Sequence, residues 1–306
     1  TDPPDLYYAT GRDGNGNLVY EQTQFGQQFL SYGQSSTGER TMYLEANVNY
    51  DRNFGDHHIG GMVLYNMRNR VVSTAGDVIS SIPYRNLSIA GRVNYGYKDK
   101  YLFTGILRRD GSSRFGLNNK FGVFPSFSAG WVIDKEDFWQ ANDIISSLKI
   151  RGGYGVVGND AIGDFGYLST VVGGYNYSIG NAGAITTGYA PRTLDNPNLR
   201  WEQTSQVNIG VEAPLFNTLS LTVDVYKKKT TGILRPITIP GYVGVSNLPS
   251  GNVADMENSG IEIELGYRKK FGDLNFSAYG NVAYLKNEVT YVAADADFIS
   301  GEAGFQ

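Results

Sequence analysis

Gly153, Gly155 and Gly158 stand at G-x-G-x-x-G spacing after an apolar run, the arrangement that cradles a pyrophosphate when a helix opens behind it. Here Asn159-Asp160-Ala161-Ile162-Gly163-Asp164 follows, a loop-forming stretch, so glycines on a crowded strand account better for the pattern. Asp13-Gly14-Asn15-Gly16-Asn17 imitates the start of a calcium loop, but Leu18 occupies the sixth position where Gly is required and Gln24 the twelfth where Glu is required. A polar turn is expected instead. Asp255 with Glu257, and Asp295 with Asp297, offer carboxylate pairs, yet no neighbour would separate their proton affinities as acid-base catalysis demands. They read as solvated loop charges. The chain has no Cys and only two His, adjacent at His57 and His58, which removes thiolate chemistry and leaves no basis for a His triad or a multi-His metal site. No catalytic residue, metal or cofactor is expected, and the chain reads as a non-enzyme.

The elements that carry these residues are strands. Among 306 residues, 39 are Gly, about 13% against a usual ~7%, and charged residues make up 18% against about 25%. A net charge of -4 lacks the basic footprint of a nucleic-acid binder. No run reaches the 18 or so apolar residues of a membrane-crossing helix. Alternation with period two is strong. Leu87, Ile89, Gly91, Val93, Tyr95 and Tyr97 oppose Ser88, Ala90, Arg92, Asn94 and Gly96, and the pattern recurs at Met42–Tyr50, Phe127–Ile133, Leu148–Val156, Val207–Val211, Leu219–Val225, Ile261–Tyr267 and Leu274–Tyr284. With two less oriented stretches near 58–67 and 100–109, about ten strands of roughly ten residues are expected, the length that crosses a bilayer.

Connections alternate short and long, with Arg52–His57, Lys98–Lys100, Ala213–Thr218 and Lys269–Asp273 short, and 69–85, 110–123, 158–199 and 231–258 long. Aromatics flank the short ones: Tyr50 and Phe54, Tyr97 and Tyr101, Phe138 and Trp139, Phe216, Tyr267 and Phe271. Short turns at one end, long loops at the other and an aromatic girdle describe an outer-membrane barrel. A soluble or surface β-rich structural or adhesion protein is the alternative, opposed by strand length and loop asymmetry. An outer-membrane enzyme would need a nucleophile-base pair on its rim, and none is found. Residues 1–40 read as outer loop, Asp295–Gln306 as a polar stretch, and Thr1-Asp2-Pro3-Pro4-Asp5 as no export signal. Ten strands with no closing strand in residues 1–306 read as one arc of a larger barrel.

One stretch is more specific. It runs Arg108-Arg109-Asp110-Gly111-Ser112-Ser113-Arg114-Phe115-Gly116, then Asn119-Lys120-Phe121-Gly122-Val123-Phe124-Pro125-Ser126, then Gly130-Trp131 with Glu136 and Phe138. Further blocks are Leu148-Lys149-Ile150-Arg151 with Tyr154-Gly155 and Gly158-Asn159, Asn196-Pro197-Asn198-Leu199-Arg200-Trp201-Glu202, Asp224 with Tyr226 and Lys228, and Gly251-Asn252-Val253 with Asn258, Gly260, Glu262 and Glu264. Together they resemble SusC/RagA-like TonB-linked outer-membrane transporters, in order, over about two thirds of the chain. The resemblance implies a central part of a 22-stranded barrel, without TonB box, plug or closing strand in this sequence. It also implies a SusD-like lid lipoprotein as partner, TonB-driven import, and oligosaccharides or peptides as substrate.

Residue expectations follow. Arg92, Arg108, Lys149, Arg151, Asp224, Glu262 and Glu264 should line a hydrated lumen wall of mixed sign. In the motif stretch a structural reading is preferred. Asp110-Gly111 would start a turn, Ser112 and Ser113 would satisfy backbone donors, and Arg114 would anchor to a carboxylate. Tyr167, Tyr175, Tyr177, Tyr189 and Tyr242, in two long loops, offer flat apolar faces and hydroxyls to a neutral polymer or to the lid.

Overall fold

The computed structural model describes residues 6–24, 38–73, 82–140, 144–179, 184–245 and 247–293. Ten strands form one antiparallel sheet: β3 (Gly38–Phe54), β4 (His57–Ser73), β5 (Tyr84–Tyr97), β6 (Tyr101–Ser112), β7 (Phe121–Val132), β8 (Lys149–Asn159), β13 (Glu202–Leu215), β14 (Leu219–Pro236), β15 (Ser250–Phe271) and β16 (Leu274–Val292). Each pairs with its predecessor in that order. The fold matches the sequence reading of an all-β arc of ten strands.

The strands are longer than the alternation alone defines, from 11 residues in β8 to 22 in β15. Antiparallel pairing satisfies the backbone whatever the side chains are, so the ladder continues beyond the apolar segment wherever a partner strand does. Asp255 and Glu257 are consequently not loop charges. Both lie on β15, where Asp255 Oδ1 accepts the Gly232 N–H at 2.8 Å and Glu257 Oε1 meets Lys227 Nζ at 2.7 Å. Asp295 and Asp297 fall outside the described residues.

Short connections gather at one end of the sheet and need left-handed backbone: Gly55 and Gly272 in two turns, Lys98 with Asp99 and Phe216 with Asn217 in the others, all with positive φ. At the other end the β8–β13 connection is partly ordered. It holds β9 (Thr170–Gly173) paired with β12 (Tyr189–Thr193), and β10 (Tyr177–Ile179) paired with β11 (Ala184–Thr186). Residues 6–24, expected as loop, form a hairpin of β1 (Leu6–Arg12) and β2 (Leu18–Gln24). Its Asp13 caps the turn by accepting the N–H groups of Asn15 and Asn17 at 2.9 and 2.8 Å. The glycines of the G-x-G-x-x-G pattern all lie on β8.

Register decides the faces. One transverse row runs through all ten strands: Phe54, His57, Tyr97, Tyr101, Trp131, Ile150, Val211, Val223, Ile263 and Val282. This face is aromatic beside the short turns and aliphatic along the strands. The opposite face carries Gly130, Arg151, Gly210, Asp224, Glu262 and Ala283 in a parallel row. A single-layer sheet has no interior, and the packed cluster of buried residues is displaced to its long-loop end, where Phe115, Phe124, Leu199 and Trp201 meet.

Candidate functional site

That cluster is where the separate motif blocks converge. Phe124 projects from the polar face of β7, and its ring lies over Gly122 and Gly158, where any Cβ would overlap it. Phe115, from the β6–β7 loop, and Trp201, just before β13, close on it with ring centroids 5.1 Å apart from each other and 5.5 Å between Phe124 and Trp201. Leu199 fills the remaining space, with no exposed surface, as Phe115 has none. The Trp201 indole N–H donates to the Lys120 carbonyl at 3.3 Å.

A polar shell fixes these loops to the strands. Asp160 Oδ2 accepts from Ser112 Oγ at 2.7 Å and from the Tyr84 hydroxyl at 2.9 Å. Arg114 reaches Asp164 Oδ1 at 2.8 Å, donates to the Asp160 carbonyl at 3.0 Å and stacks 4.3 Å above the Tyr84 ring. Ser113 Oγ accepts the Arg85 N–H, and the Ser113 N–H returns to the Arg85 carbonyl. On the far side Glu202 accepts the Leu234 N–H at 3.0 Å, while Asn252 bonds both the N–H and the carbonyl of Arg200. Asp110 and Gly111 do not start a turn: both pair within β6, and the turn begins after Ser112. The reason is Gly111, whose missing side chain admits the Phe121 ring from β7 and so keeps the ladder intact. Gly116 packs against the Tyr167 ring.

Trp131, from the same sequence block, sits at the opposite end of β7. Its indole N–H donates to Glu136 Oε1 at 2.9 Å, and Lys100 Nζ is 3.3 Å from the same carboxylate. Donation from the Tyr101 hydroxyl, then from Trp131, holds the Glu136 carboxyl below the usual carboxylate range.

Register places Arg92, Arg108, Lys149, Arg151, Asp224, Glu262 and Glu264 on one face. Four are paired. Arg108 Nε lies 2.7 Å from Asp110, Arg151 binds Glu212 at 2.7 Å and Asp224 at 2.6 Å, and Lys149 reaches Glu212 at 3.3 Å. Gly210 lies between Arg151 and Asp224, and a Cβ there would occupy the space of their ion pair. Arg109 is on the other face, 4.4 Å above the Phe121 ring. Sequence reasoning missed Asp160 and Glu212, since their partners are 48 and 61 residues away.

Of the tyrosines, Tyr167 is partly buried against the hub, while Tyr175, Tyr177, Tyr189 and Tyr242 are 40%, 53%, 75% and 90% exposed. Tyr175, Tyr177 and Tyr189 lie together around the hairpins of the β8–β13 connection. Tyr242 is apart, in the β14–β15 connection.

A family model described as "TonB dependent receptor-like, beta-barrel" matches residues 2–303. TonB-dependent receptor P39 of Formosa agariphila is 37% identical over 216 residues, covering 70% of this chain and 20% of that protein. TonB-dependent receptor SusC of Bacteroides thetaiotaomicron is 32% identical over 214 residues, 69% of this chain and 21% of that one. The solved structure of the RagAB peptide transporter superposes with a TM-score of 0.69 at 25% identity, over 85% of this chain and 31% of that one. The chain thus spans under a third of the length of these relatives.

Proposed function

The chain belongs to the TonB-dependent receptor-like β-barrel family, and from that membership we propose that it is part of the wall of an outer-membrane importer of the SusC/RagA type. The carrying observation is the two-faced sheet: a row of aromatic and aliphatic residues, with His57 among them, crosses all ten strands on one side, and charged residues, four of the seven ion-paired, run along the other. Such a sheet separates lipid from water. The aromatic residues beside the short turns suit the periplasmic interface, where amphipathic rings are stable. Arg92, Arg108, Lys149, Arg151, Asp224, Glu262 and Glu264 then line the lumen, and pairing within the wall leaves it hydrated but not strongly charged. Strands β3 and β16, exposed along their lengths, are the edges that further strands cover when the barrel closes.

Substrate and partners follow the same reading: oligosaccharides or peptides, a SusD-like lipoprotein as lid, and TonB as the energy source. The buried hub holds the bases of the loops rigid, and the exposed tyrosines of the β8–β13 and β14–β15 connections meet the ligand or the lid. Truncating a ring that anchors an interface costs about 1 kcal/mol or more. Full-length protein carrying Tyr→Ala at 167, 175, 177, 189 and 242 should therefore insert normally but lose uptake or lid co-purification. Both being unchanged across the set would remove these loops from transport.

Topology is tested separately. An epitope inserted within 170–190, best at 174–176 between β9 and β10, should be labelled on intact cells. One at Lys98–Lys100 should be silent until the outer membrane is permeabilised. The reverse pattern would invert the barrel.

A further inference from the structure

Beside the short turns, the apolar face of β6, β7 and β8 holds a hollow of about 580 Å³. Register explains it. Tyr95, Phe103, Ala129, Gly152 and Ile209 stand side by side on five adjacent strands, and the small Ala129 and Gly152 at the centre of that row make the floor. The next row toward the turns is Tyr101, Trp131 and Ile150, and two residues the other way along β7 and β8 stand the paired rings of Phe127 and Tyr154, 5.5 Å apart. Bulky groups thus surround a shallow apolar floor.

Leu102, Gly130 and Arg151 border the hollow too, from the polar side of the same strands. Leu102 lies beside Gly130 there, and Arg151 binds Glu212 and Asp224. A second hollow of about 380 Å³ lies on that polar side, with Thr104, Ser128, Lys149 and Asn208 at its edges. The residues that border both hollows, Leu102 with Phe103, Ala129 with Gly130 and Arg151 with Gly152, are cross-strand partners on β6, β7 and β8. The sheet itself therefore separates the two, and the larger hollow belongs to the apolar face.

Beyond Trp131 the chain turns, and charge appears in pairs. Lys98 lies 3.4 Å from Asp56, Lys135 lies 3.6 Å from Asp99, and Lys100 lies 3.3 Å from Glu136 and 3.6 Å from Asp137. The Trp131 indole and the Lys100 ammonium meet on Glu136, which ties a ring of the hollow to this charged rim. The Asp137 carboxylate is fully exposed. A rim with both signs side by side complements a headgroup that also carries both.

We infer that the hollow holds a zwitterionic phospholipid of the periplasmic leaflet. An acyl chain lies over Ala129 and Gly152, the glycerol region lies beside Tyr101 and Trp131, and the headgroup sets its ammonium at Asp137 and its phosphate toward Lys100 and Lys135. Trp131 and Ala129 are two residues apart, about 7 Å along a strand, so a headgroup at the turns brings its first methylenes to the floor. A second copy of the chain suits the site less, because a two-fold contact through it would set hollow against hollow. The inference rests on the lipid-facing assignment of this side of the sheet but not on import.

The test uses the full-length protein in detergent, with phosphatidylethanolamine and phosphatidylglycerol of identical chains as probes, read by native mass spectrometry. A Cβ at Gly152 meets only ordinary contacts, the nearest at 3.5 Å, so Gly152→Leu fills the hollow without disturbing the strand pairing. It should lower phosphatidylethanolamine retention about tenfold, the equivalent of two methylenes left unburied. Gly91→Leu adds the same side chain to the same face of β5, outside the hollow and with nothing within 4 Å, and should retain the lipid as the wild type does. Asp137→Asn should reduce the preference for phosphatidylethanolamine over phosphatidylglycerol about threefold. Equal retention by Gly152→Leu and Gly91→Leu overturns the site, and equal retention of the two lipids by the wild type overturns the zwitterionic headgroup. A wild-type dimer that Gly152→Leu dissolves replaces the lipid with a second copy. Thermal unfolding is measured alongside, and Ala129→Leu, which fills the floor from β7, gives the same reading if Gly152→Leu folds poorly. Uptake is expected to be unchanged in Gly152→Leu, so failure of the lipid site and failure of the importer reading give different results.

Discussion

Trp201→Ala is expected to destabilise the loop end of the barrel by about 3–5 kcal/mol, the range for deleting a buried aromatic side chain. Trp201 is 8% exposed and touches both other aromatic rings of the cluster. Its loss opens a cavity between Phe115 and Phe124 and leaves the Lys120 carbonyl without its indole donor. No second layer backs the sheet there, so neighbouring side chains can collapse into the space only by moving the loops. The effect should therefore show as protease sensitivity of the β6–β7 and β8–β13 connections before it shows as loss of strand content. Phe115→Ala should behave alike. Ser112→Ala, which removes one hydrogen bond to Asp160, should cost about 1–2 kcal/mol. Limited proteolysis on intact cells and thermal unfolding of the purified protein check both, and Trp201→Ala loops as resistant as wild type would show that the cluster does not hold them.

The strands were legible because their signal is local. Val93 and Tyr95 alternate with Arg92 and Asn94, and nothing distant is needed to place them on opposite faces. Strand ends were not legible, because Asp255 and Glu257 are held in β15 by Gly232 and Lys227, more than twenty residues away on β14. Polar ends of ladders look like loops until the partner strand is known. The Asp110-Gly111 pair misled for a related reason: its turn chemistry is genuine in isolation, and the Phe121 ring over Gly111 makes strand the better use of that glycine. In the hub, Ser112 and Arg114 have the composition of anchors, but their carboxylates, Asp160 and Asp164, come from the loop that follows the glycines of β8, about fifty residues on. The hub's four aromatic and aliphatic members lie in three separate blocks of sequence, and only the paired strands put Phe115, Phe124 and Trp201 in contact.

The assignment of faces carries the second large effect. Val223 lies on β14 between Val211 of β13 and Ile263 of β15, and Ile263 faces Val282 of β16, so four aliphatic side chains form one row. Val223→Arg or Ile263→Arg puts a guanidinium into that row, and near the bilayer midplane the cost is about 2–4 kcal/mol. One position away, Thr222 has Glu212 and Glu264 as cross-strand neighbours. Thr222→Arg therefore adds a cation beside two carboxylates on the hydrated side, where it is expected to leave stability within a few tenths of a kcal/mol of wild type. Glu264→Gln, on the same side and without an ion-pair partner among the described residues, should be equally mild. Urea titration of the folded, heat-modifiable form in lipid vesicles separates the outcomes: lower midpoints for the two apolar-face variants and unshifted midpoints for the two polar-face ones. If Thr222→Arg and Val223→Arg fell by the same amount, the sheet would have no lipid side, and the lumen wall would lose its basis.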